Sequence, residues 1–445
     1  FQESAFNYLK YAKATELQLI DASSPHLVLS SFAFSHDLRS RAECLLLRLP
    51  RYLHAIHDVT LELVAGDTLA LLYASELEMR TLLRVLAQDA PPVGRASGSF
   101  QINGHQLRLS QLAARIAYVP IEEPCTALTV EQHLRSSVAL RPPATDAFDV
   151  KERMEHLIRA LALAPFRHRQ IEQLGKTERA RVKIAEQLMK DADILLVDNV
   201  TRDMDVYDVA FIVDFLRDWC IRHRRILIMA IAPATFEILT MFHKAALLAS
   251  GRFVYCGASH EMTDYFETIN FPCPPFKNPC DYYVDLVTRD HLTPEASAES
   301  LTRIRAVTDA WQRRAAAFTP RPLPKSSVSP LIRHASLPAT LVAIYKKMWY
   351  ASWNAPGSSL LLEPTIALLL SLFLGAVFFD LKVDSRSGIN DRFGVTTALL
   401  GPATMLLLLA AIARTHADRL LVHGDLRAGH YGAVTYAAVR VRRRF

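Results

Sequence analysis

Residues 364–379 and 393–413 carry no charged side chain and are dominated by Leu, Ala, Ile, Val and Phe. About 20 such residues cross the hydrocarbon core of a bilayer as a helix, which satisfies its own backbone polar groups. Two runs in succession fit membrane spans better than buried helices of a globular core. Apolar residues upstream extend the first run, interrupted by Glu363, so spans are expected at about 360–380 and 393–413. Glu363 has two readings: lining a substrate path, or marking the helix start in the headgroup zone. Arg333, Lys346 and Lys347 precede the first span with no acid between Arg333 and Glu363. Arg414, Arg419 and Arg427 follow the second, whereas Asp380, Asp384 and Asp391 balance the bases between the spans. The basic excess places both outer flanks in the cytoplasm. A short amphipathic helix is expected over 341–350, with Lys346 and Lys347 on its polar side.

The part before the spans has a different character. From residue 26 to about 255, short apolar strands alternate with longer helical patterns, the mark of an α/β domain. Residues 68–73, 194–198 and 226–231 are nearly continuous apolar runs, as in strands covered on both faces. Residues 245–249 and 253–256, joined by Ser250-Gly251-Arg252, read as a hairpin. Residues 318–330 (FTPRPLPKSSVSP) are rich in Pro and Ser and read as a linker.

Composition excludes several classes. With 51% hydrophobic and 22% charged residues the chain buries a core. Its net charge of +6 is mild, and the one clear basic run is Arg440, Arg442, Arg443 and Arg444. That run is read as membrane-flanking charge or a consequence of truncation, not as a nucleic-acid arm, so no nucleic-acid partner is expected. The six cysteines form no CxxC pair, which argues against a zinc site or a disulfide framework. The 16 histidines show no ligand spacing such as HExxH. The chain opens on Phe1 without a signal peptide and is expected to be incomplete at its N-terminus.

The strand 194–198 ends in Asp198, and in P-loop ATPases an acid at this place helps hold Mg²⁺. TERARVKIA (residues 177–185) lies upstream, and Asp205 lies downstream after TRDM. This succession resembles the signature loop, helix, acid-ended strand and D-loop of ABC transporters, and TERARVKIA resembles a stretch typical of their G subfamily. FPCPPFKNPCDYYVDLV (residues 271–287) is similar to the segment after the nucleotide-binding domain in that subfamily, particularly in sterolins. Residues 255–257 (YCG) and 261–266 (EMTDYF) fit the same pattern. LGAVFF (374–379) resembles the end of the family's first membrane helix, and HGDLRAGHY (423–431) its segment before the third. The resemblance implies an α/β P-loop ABC nucleotide-binding domain followed by a partial α-helical transmembrane domain. The expected boundaries are 1–290 for the first, 291–335 for a linker and 336–445 for the second. The family carries six membrane helices, of which two are expected here.

A phosphate cradle needs glycines, whose backbone N–H groups converge on the phosphates, then a Lys and a Ser/Thr hydroxyl for Mg²⁺. In register with the family, the glycines are replaced by Tyr73, Glu76 and Glu78, beside Ser75. The Lys position is Met79 and the metal-binding hydroxyl position is Arg80. Arg80 or Thr81 could substitute in part through a shifted register. Each left-handed conformation forced on a residue with a Cβ costs roughly 1–2 kcal/mol. A carboxylate about 4 Å from a phosphate charge is repelled by about 4 kcal/mol at an effective dielectric near 20. By the same resemblance Ile121 stands where a Gln links metal to membrane domain. Asn199 replaces the carboxylate that polarises the attacking water, and Ala232 replaces the switch His. Gly175-Lys176-Thr177 replaces Ser-Gly-Gly in the signature loop that faces a partner's ATP. Asp198, Asp205 and Glu178 survive.

ATP and Mg²⁺ are therefore implied by the family, with weak or absent binding expected at this chain's own site and Asp198 as a weak metal ligand. The resemblance implies an integral membrane protein with a cytosolic nucleotide-binding domain, paired with another G-subfamily half-transporter and exporting lipid or sterol. A non-transporting pseudo-ATPase that regulates a partner half-transporter is the alternative.

Overall fold

The computed structural model describes residues 24–39, 52–89, 93–121, 127–142, 150–232, 235–290, 292–316, 335–354, 359–377, 386–398 and 431–444, with isolated positions among 379–426. The chain divides into two compact units. One takes Phe1–Glu123, Pro142–Leu163 and Lys176–Arg333; the other takes Pro124–Arg141, Ala164–Gly175 and His334–Phe445.

The first unit holds two sheets. Strands β1 (His26–Asp37), β2 (Tyr52–Val64), β4 (Gly94–Ile102) and β5 (His105–Leu107) form an antiparallel sheet in the order β2-β1-β4-β5. Strand β3 (Thr68–Tyr73) runs into helix α1 (Glu76–Ala87). Strand β6 (Ile116–Val119) precedes helix α2 (Val130–Leu140), which belongs to the second unit. Next come α3 (Val150–Ala160), α4 (Lys176–Leu188), β7 (Ile194–Val197), α5 (Val206–His223) and β8 (Ile226–Ala230). A hairpin of β9 (Lys244–Ala249) and β10 (Arg252–Ala258) follows, as the sequence predicts. The second sheet runs β10-β9-β3-β8-β7-β6, parallel throughout except for β10 at its edge. The three apolar runs are its adjacent strands β3, β8 and β7. The side chains of β7 and β8 are all buried, which is why their sequences do not alternate.

The turn of that hairpin locks three elements together. Gly251 has φ +72, its N–H donates to the Glu78 carboxylate (2.8 Å), and its carbonyl accepts from His57 N–H on β2 (2.7 Å). A Cβ here would lie 2.3 Å from the Ala55 carbonyl oxygen. Gly251→Ala is therefore expected to destabilise the unit by at least about 2 kcal/mol, from the left-handed backbone and the clash together. Urea unfolding checks it; an unchanged midpoint would refute the close approach.

Helices α6 (Met262–Thr268), α7 (Pro279–Leu286) and α8 (Pro294–Ala316) complete the unit. The start of α7 explains why 271–287 is so recognisable. Asn278 caps the helix by accepting from Cys280 N–H (3.3 Å), Pro279 occupies the first turn where no donor is needed, and Asn278 also donates to Asp281 (2.8 Å). Tyr283, fully buried, stacks on Phe266 of α6 at 4.0 Å. Helix α8 lies within the stretch expected as linker. It buries Ile304 and Val307 and sets Trp311 against Tyr255 and Tyr265. The Pro- and Ser-rich residues 318–330 lie outside the described residues.

In the second unit, α9 (Leu337–Asn354) packs with α2 and with α12 (Ala433–Arg444). Their shared core contains Leu140, Ala343, Ile344, Met348, Tyr431 and Val439. Asn354 donates to Gln132, and its carbonyl accepts from Gln170 (both 2.7 Å). The reading of Lys347 needs correction: Lys346 is exposed, but Lys347 falls one turn from Ala343 and Ile344 on the buried face. Its ammonium meets Asp425 at 2.6 Å, and Tyr431 donates to the same carboxylate oxygen (2.9 Å). Two members of the HGDLRAGHY segment are thereby joined to α9.

Helix α10 (Ser359–Val377) forms over the first apolar run. Helix α11 (Arg386–Ala398) starts before the second and takes in Asp391 and Arg392. Among the described residues no helix is long and apolar enough to cross a membrane. The Glu363 side chain and most of 399–413 lie outside the described residues.

Candidate functional site

The phosphate-loop position follows β3. Without glycine, the left-handed turns of a cradle are costly, and Glu, Leu and Met are good helix formers. The segment accordingly coils early: Ser75 is the extended N-cap of α1, without a side-chain cap bond, and helix begins at Glu76. Glu76 and Glu78 lie in the first turn, where the helix dipole favours acids. The helical register then decides which side chains face where. Met79, at the Lys position, is fully buried in the hydrophobic core, and Thr81 is buried as well.

Arg80 is the residue that reaches the site. Its Nη2 donates to Glu76 Oε1 at 2.5 Å, and its Nε lies 3.4 Å from Asp198 Oδ2. Asp198, fully buried just beyond β7, also accepts from the Tyr118 hydroxyl at the end of β6 (2.8 Å). Burial pushes the Asp198 carboxyl up, while the Tyr118 hydrogen bond and the guanidinium groups of Arg80 and Arg84 pull it down. Burial raises the Tyr118 phenol, and the Asp198 charge adds to this. The next residue, Asn199, adopts φ +44, a left-handed conformation that Asn tolerates. Its Nδ2 donates to the Tyr73 hydroxyl at 2.7 Å. Burial and the charges of Glu76 and Asp198 push that phenol up to about 12. Arg202 Nη1 lies 3.2 Å from Glu76 Oε2.

The other expected positions are separate. Ile121 lies beyond β6, and its carbonyl accepts from the buried Lys183 of α4 (2.9 Å). Ala232 lies beyond β8 and offers only a methyl group. Asp205 is the N-cap of α5, without a side-chain cap bond. Lys176, Thr177 and Glu178 form the first turn of α4, which Gly175 precedes. Lys176 Nζ lies 4.0 Å from Asp203, both side chains exposed. The structure thus brings Arg80, Asp198 and Asn199 together with Tyr73, Glu76, Tyr118 and Arg202, of which Tyr118 and Arg202 carried no signal in the sequence. Their only hint is position, at the end of a strand beside β7 and four residues after Asp198.

These residues do not fit Mg²⁺ and a triphosphate. A guanidinium stands on the metal-binding acid, helix replaces the N–H cradle, and the Lys position points into the core. No chemical step is derived through either group.

In the parallel sheet β8 alone separates the acid-ended β7 from the strand that leads into α1, the arrangement of an ATP-binding cassette domain. A family model described as ABC transporter matches residues 56–202, and one described as ABC-2 type transporter matches 233–314. The second match falls on β9 to α8, the stretch that contains 271–287. ATP-binding cassette sub-family G member 5 of Rattus norvegicus is 30% identical over 266 residues, covering 58% of this chain and 40% of that protein. The broad substrate specificity ATP-binding cassette transporter of Bos taurus is 27% identical over 393 residues, 80% of this chain and 58% of its own length. Sub-family G member 8 of Homo sapiens is 25% identical over 418 residues, 87% of this chain and 61% of its length. The chain thus spans about half the length of the curated relatives it matches. Both family models and all three relatives agree with the G-subfamily resemblance of the sequence. Its class is that of integral membrane proteins with a cytosolic nucleotide-binding domain.

Proposed function

We propose that this chain is part of a half-size transporter of the G subfamily, working with a partner half-transporter that does most of the ATP work. The observation that carries this is the Arg80 guanidinium on Asp198, where the family holds Mg²⁺. Asp198 Oδ2 already meets the Tyr118 hydroxyl and the Arg80 guanidinium, so a metal at the remaining oxygen, Oδ1, would face a fixed cation, and Glu76 brings a further carboxylate to the place of the phosphates. Hydrolysis also lacks its groups, since Asn199 and Ala232 stand where a carboxylate and an imidazole would act. Lipid or sterol is the proposed cargo, supported by the sterolin-like segment 271–287. The spans at about 360–380 and 393–413 are proposed as the start of the membrane domain.

Vanadate trapping with photoreactive labelled ATP on the purified pair tests the assignment of labour. Label is expected on the partner and at background level on this chain. Strong labelling of this chain would overturn the proposal.

A further inference from the structure

We infer that Glu76, Arg80 and Arg202 form an internal stand-in for metal and phosphate, which fixes the loop after β7 to the start of α1 without a nucleotide. The inference rests on the reading that this site takes no Mg-ATP, and it concerns what the site does instead.

The charges occupy the places of the missing groups. A helix N-terminus favours an anion, and Glu76 supplies a carboxylate there from the chain itself. In P-loop ATPases a cation bridges the phosphates and an acid at the end of a strand. Here the Arg80 guanidinium bridges Glu76 (2.5 Å) and Asp198 (3.4 Å). Arg202, within the loop, closes on the same Glu76 through Nη1, at 3.2 Å and 3.3 Å from its two oxygens. Asn199, at the loop's start, is tied to Tyr73 at the end of β3 (2.7 Å).

The loop needs such ties. Asn199 (φ +44) and Asp203 (φ +63) both sit in the left-handed region, conformations a free chain rarely holds together. Two of its residues are anchored on β3 and α1, and a third, Asp203, faces Lys176 of α4. In a cassette whose loop is ordered by ligand, order comes and goes with occupancy. In this one the ordering ion is covalently part of the chain. The loop, ending in Asp205, is held in one conformation at all times, available to a partner that still cycles.

Hydrogen–deuterium exchange of the purified pair tests this, comparing the parent with a Tyr73→Phe, Arg202→Gln double variant, each with and without millimolar Mg-ATP. Both changes are mild: Tyr73 keeps its ring, and Arg202 is about half exposed. The parent loop 199–205 is expected to be protected without nucleotide and unchanged by it. Removing two ties is expected to speed its exchange about tenfold, with β7 and β8 unaffected as the check on folding. Arg202→Lys alone, which keeps a cation, is expected to stay close to the parent. Equal loop exchange in parent and double variant would overturn the stand-in. Slower exchange of the parent loop on adding Mg-ATP, with label on this chain, would instead overturn the functional reading beneath it.

Discussion

Exchanging Lys347 for methionine is expected to destabilise the second unit by about 3–5 kcal/mol, although the two side chains are of similar length. Lys347 is buried, with its ammonium 2.6 Å from Asp425 and the Tyr431 hydroxyl on the same carboxylate oxygen. Methionine keeps the packing against Ala343, Ile344 and Met348 but takes the cation away from a buried carboxylate. The cost of a buried ion pair lies in breaking it from one side, since desolvation has already been incurred by both charges. A Lys347→Met, Asp425→Leu double variant removes the stranded charge and is expected to recover most of the loss. Denaturant unfolding followed by the fluorescence of Trp349 and Trp353, on the same helix as Lys347, reads the effect. Equal losses in the single and double variants would mean that shape, not charge, holds the site together.

The same lysine shows where sequence reading stops. Side by side, Lys346 and Lys347 look like one polar face of a short helix, and only the phase set by Ala343 and Ile344 separates them. The acid that explains Lys347 lies 78 residues away in sequence. The membership of α2 and residues 164–175 in the second unit is hidden for the same reason. Gln132 and Asn354 are 222 residues apart, and no local pattern announces their bond. By contrast β3, β7 and β8 are legible because burial on both faces writes itself as an unbroken apolar run. The 271–287 segment is legible because Asn278 and Pro279 perform a local job, capping α7, that only a few residue types can do. Helix α8 was masked by its neighbours: charged residues along an amphipathic 23-residue helix, next to a Pro-rich stretch, read as linker.

At the site, the departures from the family pattern are legible in the sequence and what stands in their place is not. Met79, Ile121, Asn199 and Ala232 could be assigned by register with a family pattern, because an absent functional group is visible in one residue. What fills the space depends on how the backbone responds to that absence. Aligning Tyr73 to Arg80 with a glycine loop assumes a loop; the actual residues begin a helix at Glu76. The resulting rotation sends Met79 into the core and turns Arg80 towards Asp198. Register alone makes Arg80 a partial substitute for the phosphate-binding groups, whereas its guanidinium lies against Asp198.

Reversing that response is expected to change the site most. Replacing Tyr73, Glu76 and Glu78 by Gly, Met79 by Lys and Arg80 by Ser is expected to raise Mg-ATP affinity at least about a hundredfold. Arg80 and Arg202 already offset the Glu76 charge, so the gain comes from the restored N–H cradle and the lysine, and about 2.8 kcal/mol from them is a hundredfold. Glycines also weaken the helix at residues 76 and 78, at roughly 1 kcal/mol of helix propensity each. That lets the N–H groups turn towards a phosphate and lets residue 79 leave the core. The changes act only together. Met79→Lys by itself forces an ammonium into the hydrophobic core of the first unit and is expected to lower stability with no gain in binding. Equilibrium binding of a fluorescent ATP analogue, with Mg²⁺ and with chelator, separates the variants. If the fivefold variant folds and still binds no tighter than the parent, then the glycine loop and its lysine are not what this site lacks. Binding without turnover is the expected end state. Asn199 and Ala232 remain, and neither an amide nor a methyl group can take a proton from the attacking water.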